Sequence, residues 1–263
     1  MYSSLNRIEI SRSALRHNFR VCRARAGNVP VMPMIKADGY GHGMIECARI
    51  FSEEGAAAFG VAEAGEGVLL RQEGIEQPVF VLVGMVPEII PDIMRYQLTP
   101  VIVDGEILEE MSCQARNNGV DISVHIKIDA GMGRQGCLPE EARVLAGRIE
   151  SLPGLVLGGI MAHFPMADEF ASPSTMEVFE RFQRAAAAVA RDFTGRCLLH
   201  IANSGGVFHF SSTCLDMVRP GISLYGCHPE GEPHRQQGGD LLLPAMRFVT
   251  RVIQVRTVPA DTG

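Results

Sequence analysis

Lys36, Lys127, Asp129, Arg134, His163 and Arg219 each stand within or just beyond a short apolar, β-rich run, and Asn203-Ser204-Gly205-Gly206 closes another. A lysine at the end of an apolar strand is partly desolvated, which favours the neutral, nucleophilic amine that forms a Schiff base with a carbonyl. Ser204-Gly205-Gly206 and Gly221-Ile222 carry a second hint. Glycines let the backbone approach an anion, and free N–H groups with a serine hydroxyl bind phosphate oxygens. A phosphorylated substrate or cofactor is therefore expected. Two chemistries fit: pyridoxal 5'-phosphate (PLP) held by Lys36, or an aldolase that makes its Schiff base with a sugar phosphate. Spacing leaves both open. Any one of these residues alone is more often a surface charge or a satisfied core group; their convergence argues for a site.

The elements that must position them alternate. Apolar runs fall at 31–36, 57–62, 79–84, 99–103, 122–129, 155–162, 197–203, and 216–219 with 222–225. Helical patterns separate them at 42–54, 63–73, 87–96, 105–118, 139–151, 173–192 and, briefly, 205–211. Ahead of these lie a strand-like piece at 5–10, an N-cap at Ser11 and a C-terminal cap at Gly27. Ser172-Pro173 reads as the start of the clearest helix, in which Met176, Phe179, Gln183, Ala186, Val189 and Phe193 recur every three or four residues. Eight strand–helix units in about 250 residues predict an α/β fold of the TIM (β/α)8 type, whose active sites gather at the carboxyl ends of the strands. An open doubly wound sheet has the same local pattern; length and count favour the barrel. Residues 11–230 are expected to form it, 231–240 a polar linker, and 241–263 with 1–10 the opening strands of a C-terminal β domain.

Composition narrows the classes. The chain has 263 residues, 46% hydrophobic and 21% charged, with a net charge of −6. That is globular usage, and it argues against nucleic acid or an anionic membrane as partner. No secretory leader is expected, and the longest uncharged stretch, 151–167, is too short and too broken by Pro and Gly for a membrane span. Seven scattered cysteines without a CxxC pair suit reduced thiols in a cytoplasmic setting. No HExxH or other metal-ligand spacing exists, so no metal is expected. Gly131-Met132-Gly133-Arg134-Gln135-Gly136 matches GxGxxG after a strand. Pro139 starts the helix too late, and the next strand ends in His163 rather than an acid, so dinucleotide binding is a poor reading.

Five blocks resemble the alanine racemases. They are Ile35-Lys36-Ala37-Asp38-Gly39-Tyr40-Gly41-His42-Gly43, then 125–134 (HIKIDAGMGR), 159–164 (GIMAHF), 202–206 (ANSGG) and 217–226 (MVRPGISLYG). The resemblance implies a fold-type-III PLP enzyme, a TIM barrel followed by a β domain, interconverting L- and D-alanine in a cytoplasmic homodimer that supplies D-alanine for peptidoglycan. By resemblance, Lys36 carries the cofactor and is the base on one face of Cα. Tyr40, Ser204, Gly221 and Ile222 bind the phosphate, with Asn203 alongside and Tyr225 near the same loop. Arg134 holds the substrate carboxylate, and Lys127 matches a position that many members carry as a carbamate. His163 sits against the pyridine ring, and Arg219 faces its nitrogen, where a permanent donor weakens the ring as an electron sink and favours racemisation. The second base in the family is a tyrosine from the partner's β domain; Tyr2, Tyr40, Tyr96 and Tyr225 do not match it. These residues alone are thus expected to bind PLP and racemise poorly. A PLP-carrier barrel, a fold-type-III decarboxylase, and a racemase acting on serine or on a broader range are the alternatives; the first two fit the YGHG and GMGR blocks less well.

Overall fold

The structure, a computed structural model, describes residues 4–169, 173–193, 195–230 and 241–262. β1 (Arg7–Ile10) leads into α1 (Arg12–Arg25). Ser11 caps that helix as expected, its hydroxyl accepting the Ala14 N–H at 3.2 Å, and Gly27 leaves it at φ 71°. Six parallel strands then follow in chain order within one curled sheet: β2 (Phe59–Val61), β3 (Val79–Val81), β4 (Thr99–Ile102), β5 (Ile122–Lys127), β6 (Leu155–Met161) and β7 (Leu198–His200).

Two irregular staves complete the barrel. Residues 31–36 touch Gly60 of β2 on one side and Val218 on the other through single parallel bridges. Pro33 interrupts the first stave because proline has no N–H to give a ladder. The bonds that remain include Met32 N–H to Val218 O (2.9 Å), Met34 N–H to Pro220 O (3.0 Å), Ile35 N–H to Gly60 O (3.0 Å) and Gly60 N–H to Pro33 O (3.0 Å). The last stave joins β7 through Asp216 N–H to Leu199 O and Arg219 N–H to Ala202 O. The alternation expected from the sequence is therefore a closed (β/α)8 barrel, with six regular strands and two staves held by isolated bridges.

Helices cover the outside, among them Met44–Glu53, Ala64–Gln72, Leu108–Asn118 and Ala142–Ser151. The clearest predicted helix runs Ser174–Ala190 with Pro173 as its N-cap, one residue later than expected; Ser172 lies outside the described residues, as does the 231–240 segment. An inner layer of Met32, Ala58, Phe80, Val101, Met161 and Met217 fills the barrel. A larger apolar shell, including the fully buried Phe19, Phe51, Phe59, Phe164 and Phe182, glues helices to strands. Truncating such a phenylalanine to Ala costs about 3–5 kcal/mol.

The 241–258 segment departs from expectation. It holds one strand, β8 (Met246–Val249), paired antiparallel with β1. Residues 251–258 are exposed and belong to no strand. β1 is four residues long and supplies partners for four residues only, so the pattern of apolar residues beyond Val249 has no ladder to join among the described residues.

Candidate active site

The first stave ends in an unusual turn. Lys36–Gly41 forms a single left-handed helical turn in which Ala37, Asp38, Gly39 and Tyr40 have φ of 51°, 52°, 62° and 54°. Left-handed backbone costs roughly 1–2 kcal/mol at each non-glycine residue. The turn sends Lys36 and Tyr40 to one cavity. The Lys36 amine makes no hydrogen bond or ion pair among the described residues. Asp38 accepts the Met44 N–H at 2.8 Å and so starts the helix that backs the turn. Tyr225 is one layer behind. Its hydroxyl donates to Met34 O at 3.0 Å, and its ring packs 5.0 Å from that of Tyr40 and 4.5 Å from that of His42.

Across the cavity, Ser204 follows β7 and Gly221-Ile222 follow the last stave. The Ser204 hydroxyl accepts two backbone N–H groups, from Gly221 (3.0 Å) and Ser223 (3.3 Å), which binds the two loops together. Asn203 caps the following helix through Gly206 N–H at 3.0 Å. At Gly221 any side chain would press on Tyr40. A Cβ there would lie 2.6 Å from Tyr40 Oη, closing the space among the tyrosine hydroxyl, the serine hydroxyl and the loop backbone.

Asp129 builds the third wall. Its Oδ1 accepts the N–H groups of Gly131 (3.0 Å), Met132 (2.7 Å) and Gly133 (3.0 Å), and its Oδ2 that of Arg134 (2.9 Å). Burial raises this carboxyl, but the four backbone donors outweigh it and hold the pKa below its ordinary range. The GxGxxG pattern is therefore a carboxylate-organised turn that carries Arg134. Lys127, at the end of β5, donates to Gln135 Oε1 at 3.1 Å, and Gln135 Nε2 donates to Val83 O at 2.5 Å. Burial, then the charges of Arg134 and Arg219, pull Lys127 down to about 8.

The floor is a buried chain of donors. Arg219 donates to Ala162 O (2.6 Å), to Ile201 O (3.2 Å) and to His200 Nδ1 (2.9 Å). Guanidinium accepts nothing, so His200 Nδ1 is the acceptor and the proton sits on its Nε2. That nitrogen donates to His125 Nδ1 at 2.9 Å. The Gly158-Gly159 pair of β6 makes room for this imidazole, since a Cβ at Gly159 would lie 2.4 Å from His125 Nδ1. Burial, then the Arg219 charge, lowers His125 to about 3 and holds His200 well below its usual value. Burial alone brings Arg219 down to about 9, still protonated at neutral pH. His163 is also neutral, lowered to about 3 by burial and then by Arg219, Arg134 and Lys127.

These walls enclose a cavity of about 660 Å³ at the carboxyl ends of the staves. Of the residues singled out in the sequence, Lys36, Tyr40, Lys127, Arg134, His163, Asn203, Ser204, Arg219, Gly221 and Ile222 all line it, and Asp129 and Tyr225 do not. Asp168 is the one carboxylate among the described lining residues, so an anionic ligand suits the site. Sequence reasoning missed Gln135, Asp168 and the His200–His125 pair. A histidine inside an apolar run was a signal; that the β5 and β7 runs flank β6, with β7 against the Arg219 stave, was not visible. No helix among the described residues is long and apolar enough to cross a membrane.

The fold and site define a (β/α)8-barrel enzyme with a lysine-bearing, cationic cavity at its catalytic face. Residues 10–229 match the family described as alanine racemase, N-terminal domain. An alanine racemase from Desulforamulus reducens is 36% identical over 258 residues, covering 97% of this chain and 69% of that protein. The crystal structure of alanine racemase from a D-cycloserine-producing Streptomyces lavendulae superposes with a TM-score of 0.90 at 29% identity, covering 100% of this chain and 69% of that one. Alanine racemase from Bartonella henselae, solved with covalently bound pyridoxal phosphate, shares the fold (TM-score 0.87, 23% identity, 98% and 72% covered). The chain belongs to the alanine racemase family. It spans about two thirds of the length of the relatives it matches.

Proposed function

We propose that this chain is the cofactor-holding part of a PLP-dependent alanine racemase. One observation carries the proposal: Lys36 and Tyr40, on one strained turn, share a cavity with the Ser204–Gly221 loops and the cations Lys127, Arg134 and Arg219. The space that a Cβ at Gly221 would fill, beside two hydroxyls, suits the phosphate of the cofactor.

When bound, PLP makes the Cα–H of an attached amino acid acidic. The chain's residues do the rest. Lys36 holds the cofactor and moves a proton at one face of Cα. Tyr40, Ser204, Gly221 and Ile222 grip the phosphate, with Asn203 fixing the Ser204 loop and Tyr225 supporting Tyr40 from behind. Arg134 binds the substrate carboxylate, and Lys127, neutralised more readily through burial, is open to carbamylation beside it. Arg219 would donate to the pyridine nitrogen without taking its proton, and neutral His163 would pack against the ring. Residues 11–230 form the barrel, and 241–263 with 1–10 begin a β domain. The second base, a tyrosine, comes from that domain of a partner subunit in a cytoplasmic homodimer that makes D-alanine for peptidoglycan.

The test is absorbance of the purified chain with PLP, then borohydride reduction and peptide mapping. The lysine amine adds to the cofactor aldehyde with loss of water, and hydride from borohydride fixes the bond as a secondary amine. A phosphopyridoxyl group on Lys36 is expected; a chain folded by circular dichroism that forms none refutes the proposal. Full racemisation by these 263 residues alone would refute the assignment of the second base to a residue outside them.

A further inference from the structure

We propose that Glu66 is a positioning residue for Lys36, holding the strained turn that places the lysine amine. The inference rests on the reading above that Lys36 carries PLP.

Three of the four left-handed residues after Lys36 have a Cβ: Ala37, Asp38 and Tyr40. Such a conformation persists only when its surroundings over-determine it. Part of that support is local: the Gly43 N–H reaches Asp38 O at 2.9 Å and the His42 N–H reaches Gly39 O at 3.0 Å. The Gly39 N–H reaches Ile35 O at 2.8 Å, and Asp38 spends its carboxylate on the Met44 N–H. The N–H that follows Lys36 directly, that of Ala37, has its partner 29 residues further along the chain: Glu66 Oε1, at 2.7 Å.

Glu66 has a local task as well. It is the third residue of the helix Ala64–Gln72, and its Oε2 accepts the N–H groups of Glu63 (3.3 Å) and Ala62 (2.7 Å) in a capping box. Either Glu or Gln serves a capping box. One oxygen would suffice for that. The other oxygen crosses from the loop after β2 to the loop after the first stave and ties down the peptide that joins Lys36 to Ala37. The bond is charge-assisted, and losing it costs the turn more than a neutral bond would.

Glu66→Gln separates the two tasks, because the amide has one acceptor oxygen where the carboxylate has two. With its oxygen on the cap, Gln presents an NH2 to the Ala37 N–H. Ala37→Gly removes the Cβ penalty at one of the three strained positions, the one whose N–H loses its partner, and so offsets the lost bond. The experiment follows phosphopyridoxyl formation on Lys36 by absorbance, with hydrogen exchange of peptide 35–43 in the cofactor-free chain. Glu66→Gln is expected to slow adduct formation about tenfold and to raise exchange in the turn. Glu66→Gln with Ala37→Gly is expected to return both to within about threefold of the parent.

A Glu66→Gln chain that reacts and exchanges like the parent overturns the proposal. So does a slow Glu66→Gln chain that Ala37→Gly fails to restore, because the carboxylate then acts otherwise than through the turn. A parent chain that forms no adduct on Lys36 overturns the PLP reading itself, and the exchange measurement then judges separately whether Glu66 holds the turn.

Discussion

Asp129→Asn is expected to loosen the turn that carries Arg134 while leaving the barrel folded. The wild-type carboxylate accepts four backbone N–H groups, three on Oδ1 and one on Oδ2. Asn keeps one acceptor oxygen. In its better orientation it retains the three bonds of Oδ1 and turns its NH2 toward the Arg134 N–H, so that two donors meet. Losing a hydrogen bond to a charged group costs about 1.5–3 kcal/mol, and the partial exposure of Asp129 puts the loss near the lower end. A loss of about 1.5–2 kcal/mol should appear as a lower urea midpoint with unchanged slope. In the PLP-loaded chain, affinity for an amino-acid carboxylate should fall with it, because the peptide displaced is that of Arg134. The pH dependence gives an independent check. The folded Asp129 carboxyl is held below its ordinary value of 3.8, so its contribution is present above that value and is lost as pH falls through the lower, folded one. The gap between parent and variant should therefore be constant from about pH 5 to 8 and shrink below about pH 4. A difference under about 0.5 kcal/mol at pH 7, or one that persists unchanged on acidification, refutes the reasoning.

Gly221→Ala should weaken PLP binding at least about tenfold in an absorbance titration, because the new Cβ would press on Tyr40 Oη; an unchanged Kd would remove Gly221 from the cofactor cradle. His125 is neutral in the fold to about pH 3, against 6.5 in the unfolded chain. As pH falls below 6.5 the unfolded chain gains a proton that the folded one refuses, so stability should fall by up to about 1.4 kcal/mol per pH unit for this histidine alone. Urea titrations at pH 7, 6 and 5 test this: His125→Gln should reduce the slope, with the buried His163 and His200 keeping the remainder, and a flat parent profile would contradict the burial argument.

The chain's periodicity and its site residues were legible for the same reason: both are local. Apolar runs of strand length, each ending in a polar residue, announced an α/β barrel with Lys36, Lys127, Arg134, His163 and Arg219 at one rim, because strand ends of a parallel barrel face one way. The blocks around those residues carried the family. What the sequence could not announce depends on contacts distant along the chain. Pro33 broke the first stave into single bridges, and β8 stopped where β1 ran out of partners. His200 and His125, 75 residues apart, became one donor chain only because the fifth and seventh strands flank the glycine pair of β6. The left-handed turn after Lys36 follows from no propensity of Ala37, Asp38 or Tyr40, all of which disfavour it. Contacts impose it, among them a carboxylate 29 residues downstream. Residue types thus determined which chemistry was available, and the tertiary structure decided where each group stands and in which protonation state, because both depend on neighbours that only the closed barrel brings together.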